Sequence, residues 1–208
     1  MQNLKRICLL CMVLVFSIVA SGCGQVTSTL LIRDVAKIEF THDKDKLTII
    51  PYGDLDLKKD PRYENYTSFA GTSHICITPK FALYIKDRYF HDNHSWETEK
   101  QFASKNAKEN GYKELTCDSK PAFRLVESNT VTIGEYPMLN IKLNDKSFLE
   151  VVVLSTAAVN ANHKYRKEEI KLGDPLLKQV AAESIKMFDD KEVQDLLKTI
   201  KITAPPPK

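Results

Sequence analysis

The sequence predicts an α+β fold in which helices pack on a mainly antiparallel sheet and the C-terminal segment is helical. Three observations support this prediction. Short apolar runs of alternating polarity, separated by turn residues, occupy most of residues 35–155. One stretch of helical periodicity, residues 95–110, interrupts these runs. Two further helical patterns follow in the last third of the chain, and strands followed by helices are typical of α+β proteins.

The strand signals begin early in the chain. Apolar and polar residues alternate over residues 36–40, turn residues follow at 42–45, and an apolar run returns at 47–50, which predicts a hairpin. Residues 144–146 predict the turn of another hairpin. Residues 52–72 are polar and contain glycine and proline, so we expect a long excursion there. The other predicted strands are 74–78, 81–85, 112–117, 122–127, 131–133, 139–143 and 148–155.

Capping residues predict where the helices begin and end. Ser95 is a suitable N-cap, and Gly111 closes that helix. Asp174 followed by Pro175 begins a second helix, and a capping pair that starts at Asp189 begins a third. The second helix carries an apolar stripe made of Leu177, Val180, Ala181, Ser184, Ile185 and Phe188.

The composition is that of a globular protein. Of the 208 residues, 43% are hydrophobic and 27% are charged. Lys5 and Arg6 account for two of the 30 basic residues, which leaves 28 against 27 acidic residues in the rest of the chain. This balance, without a basic run, predicts no binding to nucleic acid.

Residues 1–22 have the order of a secretory signal peptide. The basic residues Lys5 and Arg6 precede an apolar stretch, residues 7–20, and small residues then precede Cys23. This stretch is shorter than the roughly 20 apolar residues that a spanning helix needs. We therefore expect the leader to be removed rather than to remain as a membrane helix.

The sequence Ala20-Ser21-Gly22-Cys23 resembles the lipobox of bacterial lipoproteins. The resemblance implies a diacylglyceryl thioether on Cys23, cleavage before it and acylation of its new amine, so the membrane is a partner through the anchor. Each buried methylene contributes about 0.8 kcal/mol, so two or three chains hold a domain permanently outside the cytoplasm. An Asp directly after the lipidated cysteine resembles the inner-membrane retention signal of enteric-type lipoproteins. This chain has Gly24 at that position, which favours the outer membrane where two membranes exist. The alternative is an ordinary signal peptide in which Cys23 is incidental.

The expected organisation has four parts. Residues 1–22 are the signal peptide, and residues 23–34 form a lipidated tether unless its apolar residues pack on the domain. Residues 35–203 form a single globular domain, and residues 204–208 form a disordered tail.

The order of elements in the domain resembles the PsbP/DcrB-like fold, which in bacteria occurs in envelope lipoproteins. The matching parts are the strand and proline of residues 75–79, the central hairpin and a terminal helix that ends at residues 196–202. The family shares no catalytic residues, so the resemblance implies no site residues here.

Two cysteines remain after the leader and the lipidated residue are set aside. Cys8 and Cys11 leave with the leader, and Cys23 takes lipid. In an oxidising compartment the even remainder predicts a Cys76–Cys117 disulfide, which would stabilise the fold by about 4 kcal/mol. Two buried free thiols and a metal-binding pair are the alternatives.

The segment His91-Asp92-Asn93-His94 contains a candidate metal site. His91 and His94 could share a metal on one helical turn, and Asp92 could add a carboxylate. The alternative is a polar loop, because the segment precedes the N-cap Ser95.

Aromatic residues in the long excursion form a candidate partner-binding surface. Tyr63, Tyr66 and Phe69 would offer contact area to a protein or a glycan if they are exposed. The alternative is that they fold back on the sheet.

No motif in the sequence indicates catalysis or a cofactor. GxSxG, GxxxxGK and GxGxxG are absent, and seven glycines leave little for phosphate-binding loops. We therefore expect a non-enzymatic envelope module that needs no cofactor and binds or helps to assemble an envelope protein. A metal- or small-ligand-binding lipoprotein is the alternative, and a hydrolase acting on envelope polymers is the third.

Overall fold

A computed structural model describes residues 24–32, 35–51, 66, 72–90, 94–127 and 136–204 of the protein. Within these ranges the chain forms ten strands and four helices. The strands are β1 (Gln25–Ile32), β2 (Ala36–Asp43), β3 (Thr48–Pro51), β4 (Thr72–Ile77), β5 (Phe81–Tyr89), β6 (Ala107–Cys117), β7 (Lys120–Glu127), β8 (Pro137–Lys142), β9 (Ser147–Ser155) and β10 (Lys201–Thr203). The helices are α1 (Trp96–Asn106), α2 (Thr156–Arg166), α3 (Pro175–Phe188) and α4 (Lys191–Lys198).

The predicted α+β fold class is confirmed. Seven strands form one sheet in the order β3-β4-β5-β9-β8-β7-β6, and three form a second sheet in the order β1-β2-β10. Every neighbouring pair is antiparallel. Strand β9 lies in the middle of the large sheet, and all nine of its residues are buried.

The large sheet buries both of its faces, and the alternation of β5 shows how. Phe81, Leu83 and Ile85 point into a core shared with the small sheet, α4 and the end of α3. Ala82 and Tyr84 point to the opposite face, into a second core shared with α1, α2 and the start of α3. None of the helices in the described part of the chain has the length and apolarity needed to span a bilayer.

The N-terminal pairing differs from the prediction. Residues 25–32 form β1, and its Leu30 and Ile32 are 2% and 1% exposed in the core beneath the small sheet, which is the alternative in which the apolar residues of the expected tether pack on the domain. The predicted hairpin over residues 36–50 is wrong, since β2 pairs with β1 and β10 while β3 pairs with β4. The strands were located correctly, but the turn between them carries the chain from one sheet to the other.

The helices begin close to the predicted N-caps, whereas the predicted end of the first helix at Gly111 is wrong. Ser95 forms a capping box with Thr98, but α1 ends at Asn106 because Ala107 is already extended. Asp174 caps α3 by accepting a hydrogen bond from the Leu176 amide at 2.9 Å, as predicted. Asp190, one residue after the predicted cap, is the N-cap of α4.

Three further differences concern whole elements. Helix α2 was not predicted, because its buried residues are two alanines, one valine and one asparagine, which give little apolar periodicity. Residues 201–203, expected at the end of the last helix, form β10. The signal peptide, the predicted strand 131–133 and residues 205–208 of the predicted tail lie outside the described residues.

The structure contradicts the predicted Cys76–Cys117 disulfide. Both cysteines are buried free thiols, which was one of the alternatives. Cys76 lies in β4 and Cys117 in β6, and four strands separate these two in the sheet order. Five strand spacings amount to about 24 Å along the sheet, whereas the Cα atoms of a disulfide lie within about 7 Å of each other.

Candidate binding cleft

A cleft of about 830 Å³ opens at one end of the domain. It lies where the end of β2, the turn between β4 and β5, and α4 come together. The volume falls within the range of about 300–1,000 Å³ that is usual for ligand sites. The lining residues are Gln25, Thr41, His42, Asp43, Lys46, Leu47, Thr78, Pro79, Lys80, Phe81, Asp190, Lys191, Glu192, Asp195, Leu196 and Thr199.

Local hydrogen bonds hold the walls of the cleft in place. In the β4–β5 turn, the Thr78 hydroxyl donates to the Phe81 carbonyl and accepts from the Phe81 amide, both at 3.0 Å. Across the cleft, the Thr41 amide donates to the Thr199 hydroxyl at 3.1 Å and so joins the small sheet to the end of α4. These bonds close the turn between β4 and β5 and tie the end of β2 to the end of α4, which are two parts of the cleft wall.

The floor of the cleft is apolar. Leu47 is 7% and Phe81 is 1% exposed, and both belong to the core beneath the small sheet. Leu196 of α4 packs against that core while still lining the cleft. An apolar side chain of a ligand could therefore extend the protein core.

The three lysines that line the cleft are each in an ion pair. Lys46 Nζ lies 3.3 Å from Asp43 Oδ2, and Lys80 Nζ lies 3.1 Å from Glu192 Oε2. Lys191 pairs with Asp195. Because the charges are compensated, the cleft does not favour a phosphate-like anion and suits a ligand with both apolar and mixed polar groups.

The pKa values of the rim groups follow these contacts. The hydrogen bond that Lys80 donates to Glu192 and the charges of Glu192 and Asp190 raise the pKa of Lys80. A hydrogen bond from the Asp45 amide, with further contributions from Lys46, lowers the pKa of the Asp43 carboxyl. Both groups are therefore charged at neutral pH, and the rim keeps its ion pairs.

His42 at the cleft is oriented by two hydrogen bonds. Its Nδ1 lies 3.0 Å from the Asp43 carbonyl, which can only accept, so Nδ1 carries the proton. Nε2 lies 2.7 Å from the Ser28 hydroxyl, which donates to it when the imidazole is neutral. This arrangement has the form of a serine–histidine pair, but Ser28 does not itself line the cleft. The pair joins β1 to β2.

A second polar cluster lies on the opposite face of the large sheet, beside α1. Lys86 of β5 and Glu150 of β9 are paired in register and are 3% and 8% exposed. Lys86 Nζ lies 2.7 Å from Glu150 Oε1, and two guanidinium nitrogens of Arg88 each lie 3.2 Å from the same carboxylate. Burial and the charge of Glu150 raise the pKa of Glu99, which lies nearby on α1. In the sequence, Glu150 interrupts the apolar run 148–154, and this charged residue was the feature that could have indicated a buried ion pair.

The predicted metal site is only partly described. His94 is exposed and lies directly before the N-cap Ser95, as the loop alternative required, while His91 and Asp92 lie outside the described residues. Among the residues that the structure describes, no three His, Cys, Asp or Glu side chains are grouped closely enough to hold a metal ion. A site that includes His91 and Asp92 stays a prediction.

The predicted aromatic surface has one described member. Tyr66 is half-buried and packs against the core beside α1, which fits the alternative that the residue folds back on the sheet. Tyr63 and Phe69 lie outside the described residues, as does the predicted lipidation residue Cys23.

Burial accounts for the chemistry of the two remaining cysteines. It raises the pKa of Cys76 to about 12. Burial and the neighbouring Asp118 charge raise the pKa of Cys117 to about 11. Both side chains are therefore thiols at neutral pH, and neither is an activated nucleophile.

Comparisons with known proteins leave the family open. No model of a known protein family matches the sequence, and no curated protein is detectably similar to it. Among solved structures, the solution structure of PsbP (CyanoP) from Synechocystis sp. PCC 6803 is similar at 10% identity and a TM-score of 0.38. The match covers 79% of this chain and 93% of that one. A likeness this loose establishes neither a common family nor a common function.

Proposed function

We propose that the protein is a lipid-anchored, extracytoplasmic binding module of the cell envelope, and that its cleft binds a segment of an envelope protein. The proposal has two parts, an anchor and a binding site, and they rest on different observations. Neither part requires catalysis or a cofactor.

The anchor is supported by the leader sequence. A basic start, an apolar stretch of signal-peptide length and the lipobox-like residues Ala20-Ser21-Gly22-Cys23 occur in the expected order. In this proposal the thioether on Cys23 fixes the domain to the bilayer, and the outer membrane is favoured where two membranes exist.

The observation that carries the binding part is the composition of the cleft. An apolar floor lies inside a rim of compensated ion pairs, such as Lys80 with Glu192. Protein interfaces commonly have an apolar centre and a polar rim in this way. A polypeptide can supply an apolar side chain for the floor and mixed polar groups for the rim, whereas a phosphorylated ligand would find no uncompensated lysine among the described lining residues.

The binding part can be tested with two cleft variants and two matched controls. Leu196→Asp places a charge over the apolar floor, and Lys80→Glu breaks the ion pair with Glu192. Leu172 is 62% exposed and Lys167 is exposed, and neither lines the cleft, so Leu172→Asp and Lys167→Glu introduce the same chemistry elsewhere.

The readout is quantitative recovery of envelope proteins after cross-linking in cells that make each tagged, lipidated form. We expect the same protein to be enriched with the wild type and both controls and to be lost at least tenfold with both cleft variants. Melting temperatures measured in parallel confirm that the variants are folded. Equal recovery by the cleft variants, or no reproducible enrichment with the wild type, would contradict the proposal.

A further inference from the structure

The first strand begins directly after the residue proposed to carry lipid. Gln25 pairs with Asp43 at the start of the β1–β2 ladder, and the Lys44 amide donates to the Gly24 carbonyl at 2.8 Å. The chain is therefore hydrogen-bonded to the domain as far back as Gly24. Two Cα–Cα steps span about 7 Å at most, so Cys23 lies within that distance of Gln25.

The turn that holds Gly24 is itself constrained. The Asp45 amide donates to Asp43 Oδ1 at 3.0 Å, and the amides of Lys46 and Leu47 both lie 3.2 Å from the Asp43 carbonyl. Gly24 has a φ of +124°, a conformation that residues with a side chain rarely adopt. The connection between the proposed lipid and the sheet therefore lacks the slack of a flexible linker.

The same end of the domain carries the cleft. Gln25, Asp43 and Lys46 form one wall of it, next to the residues that hold Gly24. The turn at Pro79 and Lys80 forms another wall. A lipid attached at Cys23 would thus emerge beside the cleft, not at the far end of the small sheet.

We infer that the end of the domain formed by the turn 44–46 is seated on the headgroup layer of the bilayer, with the cleft opening toward the membrane. This inference rests on the proposed lipidation of Cys23. A ligand of the cleft is then a polypeptide segment that lies at the membrane surface.

The charges at this end show what holds it there. Lysines and carboxylates are nearly balanced, so attraction to anionic lipids contributes little, and the covalent anchor sets the orientation. The four lysines are Lys44, Lys46, Lys80 and Lys191, and the five carboxylates are Asp43, Asp45, Asp190, Glu192 and Asp195. The seating should therefore be the same on neutral and on anionic membranes, and in low and high salt.

Two spin labels on the lipidated protein test the orientation. Lys44→Cys places a label at the proposed contact, and Thr203→Cys places one at the other end of the small sheet. Thr203 pairs with Lys37, which is seven residues from Lys44 along β2, or about 23 Å. The native Cys76 and Cys117 are buried thiols and should not react with the label in the folded protein.

The protein is reconstituted in phosphatidylcholine vesicles that contain a nickel-chelating headgroup lipid, and relaxation of each label by nickel is measured. We expect relaxation at position 44 to exceed that at position 203 by at least fivefold, and to be unchanged with 30% phosphatidylglycerol. A ten-residue Gly-Ser insertion after Gly24, which spans about 17 Å on average, should remove most of the difference.

The outcomes separate the orientation from the anchor. The intact mass of the same sample shows whether Cys23 carries lipid, and an unmodified mass would contradict the proposed anchor. A lipid-carrying sample with equal relaxation at both labels would overturn the proposed seating while leaving the anchor intact. A difference that appears only with anionic lipid would also overturn it, because charge would then set the orientation.

Discussion

The buried ion pair between Lys86 and Glu150 gives the sharpest prediction about stability. The substitution Glu150→Gln keeps the size of the side chain but removes its charge. It leaves the ammonium of Lys86, which is 3% exposed, in the interior without the carboxylate that lies 2.7 Å away. The contacts from Arg88, both 3.2 Å long, lose their ionic partner as well.

The expected cost follows from the burial of both partners. Removing one member of a buried ion pair typically costs about 3–5 kcal/mol, because the remaining charge has been taken out of water. In a domain of this size each kcal/mol lowers the melting temperature by roughly 2–4 °C. Glu150→Gln should therefore lower the melting temperature by roughly 6–20 °C.

Urea unfolding at pH 7, followed by circular dichroism, measures the change in the free energy of unfolding. The matched control is the double variant Lys86→Met with Glu150→Met, which removes both charges and fills the space with apolar atoms. We expect this double variant to recover most of the loss. A loss of less than 1 kcal/mol in Glu150→Gln, or a double variant as unstable as the single one, would refute the reasoning.

Four other predictions concern pH, thiols, packing and the joint between the sheets. Burial tends to raise the pKa of Glu150, but the charges of Lys86 and Arg88 outweigh it and hold this pKa below its ordinary value of 4.5. The ion pair therefore stabilises the wild type above about pH 4.5. This stabilisation is lost as the pH falls through the lowered pKa of Glu150. Urea unfolding midpoints measured from pH 7 to 3 should therefore drop more in the wild type than in the double methionine variant. Cys76 and Cys117 should resist a thiol reagent at pH 8 in the folded protein and react fully in denaturant, and rapid reaction under native conditions would argue against their burial. Phe81→Ala should cost about 3–5 kcal/mol in urea unfolding, because its ring is fully buried. Thr199→Val should cost about 1–3 kcal/mol, because its hydroxyl accepts from the Thr41 amide and donates to the carbonyls of Thr41 and Leu196, and an unchanged midpoint would show that this joint is dispensable.

Patterns of neighbouring residues in the sequence predicted the positions of most strands and helices. Alternating apolar residues in β2 and the apolar run of β9, broken only by Glu150, indicated strands, and the pair Asp174-Pro175 marked the start of α3 correctly. These signals depend on neighbouring residues, which is why they can be recognised without knowledge of the fold. Helix α2 was not predicted because its four buried residues include only one large apolar side chain, Val159, so the apolar periodicity is weak.

Pairing between distant segments could not be predicted in the same way. Residues 36–50 contain two strands separated by a turn, and proximity suggested a hairpin, yet β2 pairs with β1 and with β10, more than 150 residues away. For the same reason, the sequence left open whether residues 23–34 form a free tether or pack on the domain, and the pairing of β1 with β2 corresponds to the second alternative. The Cys76–Cys117 disulfide failed because the number of cysteines carries no information about the four strands between them.

The cleft could not be predicted from the sequence either. It is assembled from four separate parts of the chain, from Gln25 to Thr199, and none of them contains a recognisable motif. Of the residues predicted to bind ligands, the structure describes only His94 and Tyr66, and neither lines the cleft. Glu150 shows that a charged residue inside an apolar run indicates a buried ion pair, but its partner became evident only from the strand register.

The most direct test of the lipid anchor is metabolic labelling with a fatty acid in cells that make the wild type or Cys23→Ser. The chemistry proposed for Cys23 requires a sulfur atom, and serine cannot form the thioether. We expect the wild type to incorporate the label and to remain with the membrane fraction, and Cys23→Ser to incorporate none. Equal labelling of the two forms, or an unlabelled wild type, would contradict the account.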